Sequence, residues 1–173
     1  MALIAEDGTG LTTANAYCTV AEADSYHVLR GTTEALWADL DTDVKTACVI
    51  RATDYMVQTY RGRWKGVLVK TEQALDWPRY SVYPDAGFQY ALSSVIVPLE
   101  VKRACAELAL RANSAVLTED VVPALVLSET VGPVAVTYAN TGQRTTRYLA
   151  IDRTLSALLN DGGSQFQSTA ALG

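Results

Sequence analysis

The chain has 173 residues, 49% of them hydrophobic, and a net charge of −5. That length holds one domain with a sizeable core, and the acidic balance argues against a general binder of polyanions. Cys18, Cys48 and Cys105 are odd in number and far apart, with no CxxC and no Cys/His cluster, so neither a zinc site nor a disulfide framework is indicated.

No apolar run approaches the ~18 residues of a membrane span and no secretory signal is evident, so a soluble protein made in the cytoplasm is expected. Residues 1–18, with the turn cluster Glu6-Asp7-Gly8-Thr9-Gly10, predict an extended N-terminal arm. Thr19 followed by Glu22 has the spacing of a capping box and starts a helix over 20–30 that stops at Gly31. A helical turn is expected over 33–40, with Leu36 and Trp37 inward. A second long helix, over 44–60, turns Val44, Cys48, Ala52 and Tyr55 to one side and Arg51, Asp54 and Gln58 to the other. Arg61-Gly62-Arg63-Trp64-Lys65-Gly66 is a turn. Residues 71–77 predict a short helical piece stopped by Pro78. Residues 80–95 have no period and predict a loop that carries Tyr83, Phe88 and Tyr90 back onto the bundle.

The organising element is the helix led by Pro98. Val101, Ala104, Cys105, Leu108, Ala112 and Ala115 share one face, and only Glu100, Arg103, Glu107 and Arg111 form a polar strip, with pairs expected at 100/103 and 107/111. So narrow a wet strip predicts the centre of a small bundle. Short β-like runs near 125–138 predict a hairpin. A last helix is expected over 147–159, and Gly162-Gly163 leads into an uncharged tail, 161–173, expected to be flexible. The expected fold is therefore mainly α: a small helical bundle over 19–160 around the Pro-led helix, with a hairpin excursion and extended termini.

The chemistry-bearing residues exclude more than they support. His27 is the sole histidine, no nucleophile elbow occurs, and Asp39, Asp41 and Asp43 lack the glycine and closing glutamate of a calcium loop. No enzyme, metal or cofactor is expected. Charge is uneven. Residues 1–43 hold eight acids (Glu6, Asp7, Glu22, Asp24, Glu34, Asp39, Asp41, Asp43) against Arg30, whereas 44–80 hold seven bases against three acids. Within that basic stretch Arg61, Arg63, Lys65, Lys70 and Arg79 interleave with Tyr60, Trp64, Trp77 and Tyr80, the composition of a sequence-tolerant single-strand binder. The competing reading makes Trp64 and Trp77 core anchors, with Val101 and Leu108, and the bases a solvated or subunit-facing rim.

The order of several motifs resembles a known family. They are Ala21 to Tyr26 with Arg30-Gly31, then Arg51-Ala52-Thr53-Asp54-Tyr55 and Tyr60-x-Gly62-x-Trp64-x-Gly66. Gln73-Ala74-Leu75-Asp76-Trp77-Pro78-Arg79 follows, then Ile96-x-Pro98 with Val101-Lys102-x-Ala104 and Glu107-Leu108-Ala109, Val131-Gly132-Pro133-Val134 and Tyr148-x-x-Ile151-Asp152. Over about residues 15–160 the chain is similar to tailed-phage proteins labelled DnaT-like single-stranded-DNA-binding proteins, which in turn resemble phage head-tail connector, or adaptor, proteins. The connector resemblance implies a structural virion protein at the head-tail interface: a ring, typically dodecameric, beneath the portal protein, followed by a stopper or tail-completion protein, with packaged double-stranded DNA passing through. Acidic and basic flanks suit head-to-tail contacts between copies. In that reading Tyr148, Phe166 and Leu172 dock the C-terminal segment onto the portal. The alternative the label implies is a single-stranded-DNA-binding protein of phage replication.

Overall fold

The computed structural model describes residues 2–31, 34–84, 90–118, 128–131, 134–137 and 148–160. In chain order the helices are α1 (Val20–Val28), α2 (Glu34–Trp37), α3 (Thr42–Tyr60), α4 (Leu99–Ser114) and α5 (Leu149–Leu155), the last continuing into a 3₁₀ turn, Ser156–Leu158. Among the described residues there are two antiparallel ribbons, β1 (Val67–Leu68) with β2 (Arg79–Tyr80) and β3 (Ser128–Val131) with β4 (Val134–Thr137). The architecture is mainly α with small hairpins.

The capping box at the start of α1 is formed: the Thr19 hydroxyl accepts from the Glu22 N–H at 3.1 Å, and the Glu22 carboxylate accepts from the Thr19 N–H at 2.8 Å. Asp41 stands at the N-cap of α3 without a side-chain cap bond. Pro98 occupies the N-cap of α4, one position before the first turn expected for it. From α4, Val101, Ala104, Cys105, Ala106, Leu108, Ala109 and Ala112 are buried, and the helix packs against α3, α1 and α5. Four of those seven are alanines, which lets three helices approach one axis. α1 and α4 run in the same sense, because Glu22 meets Lys102 and Tyr26 meets Glu107. Of the two pairs expected on the polar strip, Glu107–Arg111 forms at 2.9 Å, while Arg103 makes no ion pair among the described residues. All three cysteines are free and buried.

Several segments depart from expectation, and Leu36, expected inward, is exposed. Residues 2–18 are not a free arm. The Glu6 N–H donates to the Ala16 carbonyl at 2.9 Å, and Ala14, Ala16, Tyr17 and Cys18 are buried in the core. The buried Glu6 carboxylate accepts from the N–H groups of Gly8, Gly10 and Leu11 at 2.8–3.0 Å and closes the turn. Residues 71–77 form turns rather than a helix, because the buried Gln73 amide competes with helical bonding. Its oxygen accepts from the Val69 and Lys70 N–H groups, and its nitrogen donates to the Leu75 and Pro78 carbonyls. Tyr148, assigned to portal docking, instead caps α5 and packs edge-on against Tyr55 (5.4 Å) under the Arg111 guanidinium (5.6 Å). Phe166 and Leu172 lie outside the described residues. No described helix is long and apolar enough to cross a membrane.

Candidate nucleic-acid interface

The basic, aromatic stretch leaves the C-terminal end of α3 and becomes the β1–β2 ribbon. The fold sorts its side chains into two groups.

One group goes inside. Trp64 and Trp77 are buried and meet edge to face at 5.6 Å, with Tyr60 tilted against Trp64 at 5.7 Å. Neither indole presents a face for a base to stack on. Val101 and Leu108 are fully buried in the same core cluster. Arg79 is buried as well. Its guanidinium donates to the Lys65 carbonyl (2.8 Å), the Gly66 carbonyl (2.8 Å) and the Asp76 carbonyl (3.1 Å). Burial pulls its pKa below the ordinary arginine value, although a guanidinium stays charged at any physiological pH. Lys65 acts in the same way, its ammonium donating to the carbonyls of Pro84 (2.7 Å) and Ala157 (2.8 Å). These two cations are internal clamps and do not reach a ligand.

The other group stays outside. Arg61 donates through Nε to Asp76 at 2.9 Å, with most of its side chain exposed. Arg63 is half-exposed, 3.7 Å from Asp152 and lying over the Tyr60 ring. Lys70 is exposed just beyond β1. Because side chains alternate along a strand, the inward Arg79 sends its neighbour Tyr80 outward. Tyr80 is 49% exposed and Tyr83 51%, and the apolar Val67 and Leu68 of β1 are also exposed. Ser81, at φ 57°, turns the chain between the two tyrosines. The Leu92 N–H donates to the Val82 carbonyl at 2.8 Å and brings back the segment carrying Tyr90, which is also exposed. Tyr83 and Tyr90 thus do not pack on the bundle as expected, and Phe88 lies outside the described residues. Like Tyr80, these two tyrosines are exposed, and along the chain Arg61 and Arg63 precede β1 while Lys70 follows it.

The ribbon also depends on Gly66. Its φ is +70°, and a Cβ there would lie 2.1 Å from the Tyr80 carbonyl oxygen, so only glycine lets the two chains approach this closely. The sequence held one signal for the outward tyrosines, the alternation of Arg79 and Tyr80. Two-residue strands are too short for it to be read as a period. Among the described residues no group of three His, Cys, Asp or Glu side chains is placed to hold a metal ion.

The family model described as "Putative DnaT-like ssDNA binding protein" matches residues 1–172. No curated protein and no solved structure gives a significant match. The match corrects the expectation of a head-tail connector, and with it the portal, the ring, the stopper protein, the packaged duplex and the virion role. The structure supplies a physical reason. The acidic and basic stretches are not two wholly free flanks, because Asp24 of the first pairs with Lys45 of the second at 3.0 Å within one subunit. With its match running from residue 1 to residue 172, the chain belongs to the DnaT-like single-stranded-DNA-binding protein family.

Proposed function

We propose that the protein binds single-stranded DNA through the β1–β2 ribbon and the exposed Tyr80, Tyr83 and Tyr90, without catalysis. The observation that carries this reading is the pair of half-exposed tyrosines, Tyr80 and Tyr83, on a stretch of chain whose Arg61, Arg63 and Lys70 also reach the surface. Bases of any sequence stack on an aromatic face while cations follow the backbone phosphates. A duplex hides its base faces and gains nothing from the tyrosines, so single strands are preferred. The family's description names the same ligand.

The test is filter binding of oligo-dT and of a matching duplex at two salt concentrations. Three phosphate contacts on a single strand predict an affinity loss of roughly 10–20-fold between about 50 and 200 mM salt. Tyr80→Ala and Tyr83→Ala should each weaken binding about tenfold, within the ~1–3 kcal/mol typical of a stacked base. Far-UV circular dichroism should confirm that both variants remain folded. Equal affinity for duplex, or full affinity in both folded variants, would rule the assignment out.

A further inference from the structure

Away from the residues of the ribbon, α1 and α4 leave a groove of about 370 Å³ between them, lined by aliphatic side chains and by Arg30, Lys102 and Arg103. Two leucines stand in it unusually bare for a helical core region: Leu29 is 83% exposed and Leu99 55%. Only one carboxylate lines the groove, Glu22, and it is already engaged by Lys102 at 2.6 Å. The local balance is therefore cationic on a chain whose net charge is −5.

The groove differs from the ribbon in one decisive respect. Its sole aromatic, Tyr26, is partly buried and already engaged. The Arg30 guanidinium covers the ring at 3.7 Å, the His27 ring meets it edge-on at 5.1 Å, and the phenol hydroxyl donates to Glu107 at 3.2 Å. A nucleic acid would find phosphate partners here but no stacking platform. Aliphatic knobs with a cationic rim fit a different ligand. Leu29 and Leu99 gain by covering themselves with other aliphatic side chains, and two parallel helices form the kind of trough a third helix fills. We propose that this groove docks an acidic amphipathic helix of a partner protein, with its leucine-type stripe on Leu29 and Leu99 and its carboxylates on Arg30 and Arg103. This site is separate from the ribbon and does not depend on the ribbon binding DNA.

The probe is a synthetic helix of about four turns with leucines at i, i+3, i+4 and i+7 and aspartate or glutamate elsewhere, titrated calorimetrically into the full-length protein. The control peptide carries lysine in place of every acid. The acidic peptide should bind and the lysine peptide should not. Leu29→Ser and Arg103→Glu should each weaken the acidic peptide at least tenfold. Both residues are exposed, so the variants should fold, and their oligo-dT affinity should stay that of the parent protein. Three results would overturn the proposal: no binding of the acidic peptide, equal binding of both peptides, or equal binding to parent and variants. A loss of oligo-dT affinity in Leu29→Ser or Arg103→Glu would assign the groove to nucleic acid instead. Self-association of the parent protein that Leu29→Ser abolishes would assign it to a second copy of the chain.

Discussion

His27 shows how a residue that looks catalytic on paper becomes a packing group. It lies beneath α4, where one ring nitrogen donates to the Ala106 carbonyl at 3.0 Å and Trp37 tilts against the ring at 4.9 Å. Burial is the largest influence on its pKa and holds it below the ordinary 6.5. The sign of the resulting stability effect follows from proton counting. Below pH 6.5 the unfolded chain takes up a proton that the folded chain resists, so stability is complete above 6.5 and falls as the pH drops toward the depressed folded value. Glu22 acts in a lower window, because its interactions keep its pKa under 4.5 and its contribution is lost only as the pH falls through that range. Urea midpoints measured from pH 7 to pH 5 should therefore decline, and His27→Gln should flatten that decline. An unchanged slope in the variant would show that other groups drive it.

Elements with their own periodicity were legible. α1 announces itself by its capping box and α3 and α4 by their apolar stripes, and α4 packs against α3, α1 and α5. The β1–β2 ribbon was not legible, since Val67–Leu68 and Arg79–Tyr80 are too short to show alternation. The stretch from Thr71 to Asp76 misleads for a different reason. Its residues suit a helix by propensity, but one buried glutamine takes over the backbone bonding, and only the folded context reveals that. The N-terminal segment reads as polar turn, whereas a single carboxylate, Glu6, satisfies three of its N–H groups and allows it to be buried. At the ribbon, Gly66→Ala forces a Cβ against the Tyr80 carbonyl and onto Val82 at 2.8 Å. It should lower stability by about 2 kcal/mol or more and weaken oligo-dT binding without removing any group that touches DNA. Thermal unfolding and filter binding of the same preparation measure both effects. Parent-like values in both would mean the ribbon has slack that the glycine geometry denies.

For the molecule as a whole, the acidic balance is a poor guide to the ligand proposed. Net charge sums every surface, whereas a strand of DNA meets only one. The fold withdraws Arg79 and Lys65 from that surface, yet the clamps they form hold the ribbon from which Tyr80 projects. The same sorting puts every indole out of reach. Trp37, Trp64 and Trp77 are the chain's three tryptophans, and all are buried. In optical terms the protein is blind to its own proposed ligand. Indole emission should be blue-shifted and poorly quenched by acrylamide, and saturating oligo-dT should leave it nearly unchanged while tyrosine absorbance is perturbed. Strong quenching of the indoles by oligo-dT would place the DNA against Trp64 or Trp77 after all, and would mean that this end of the domain opens to admit it.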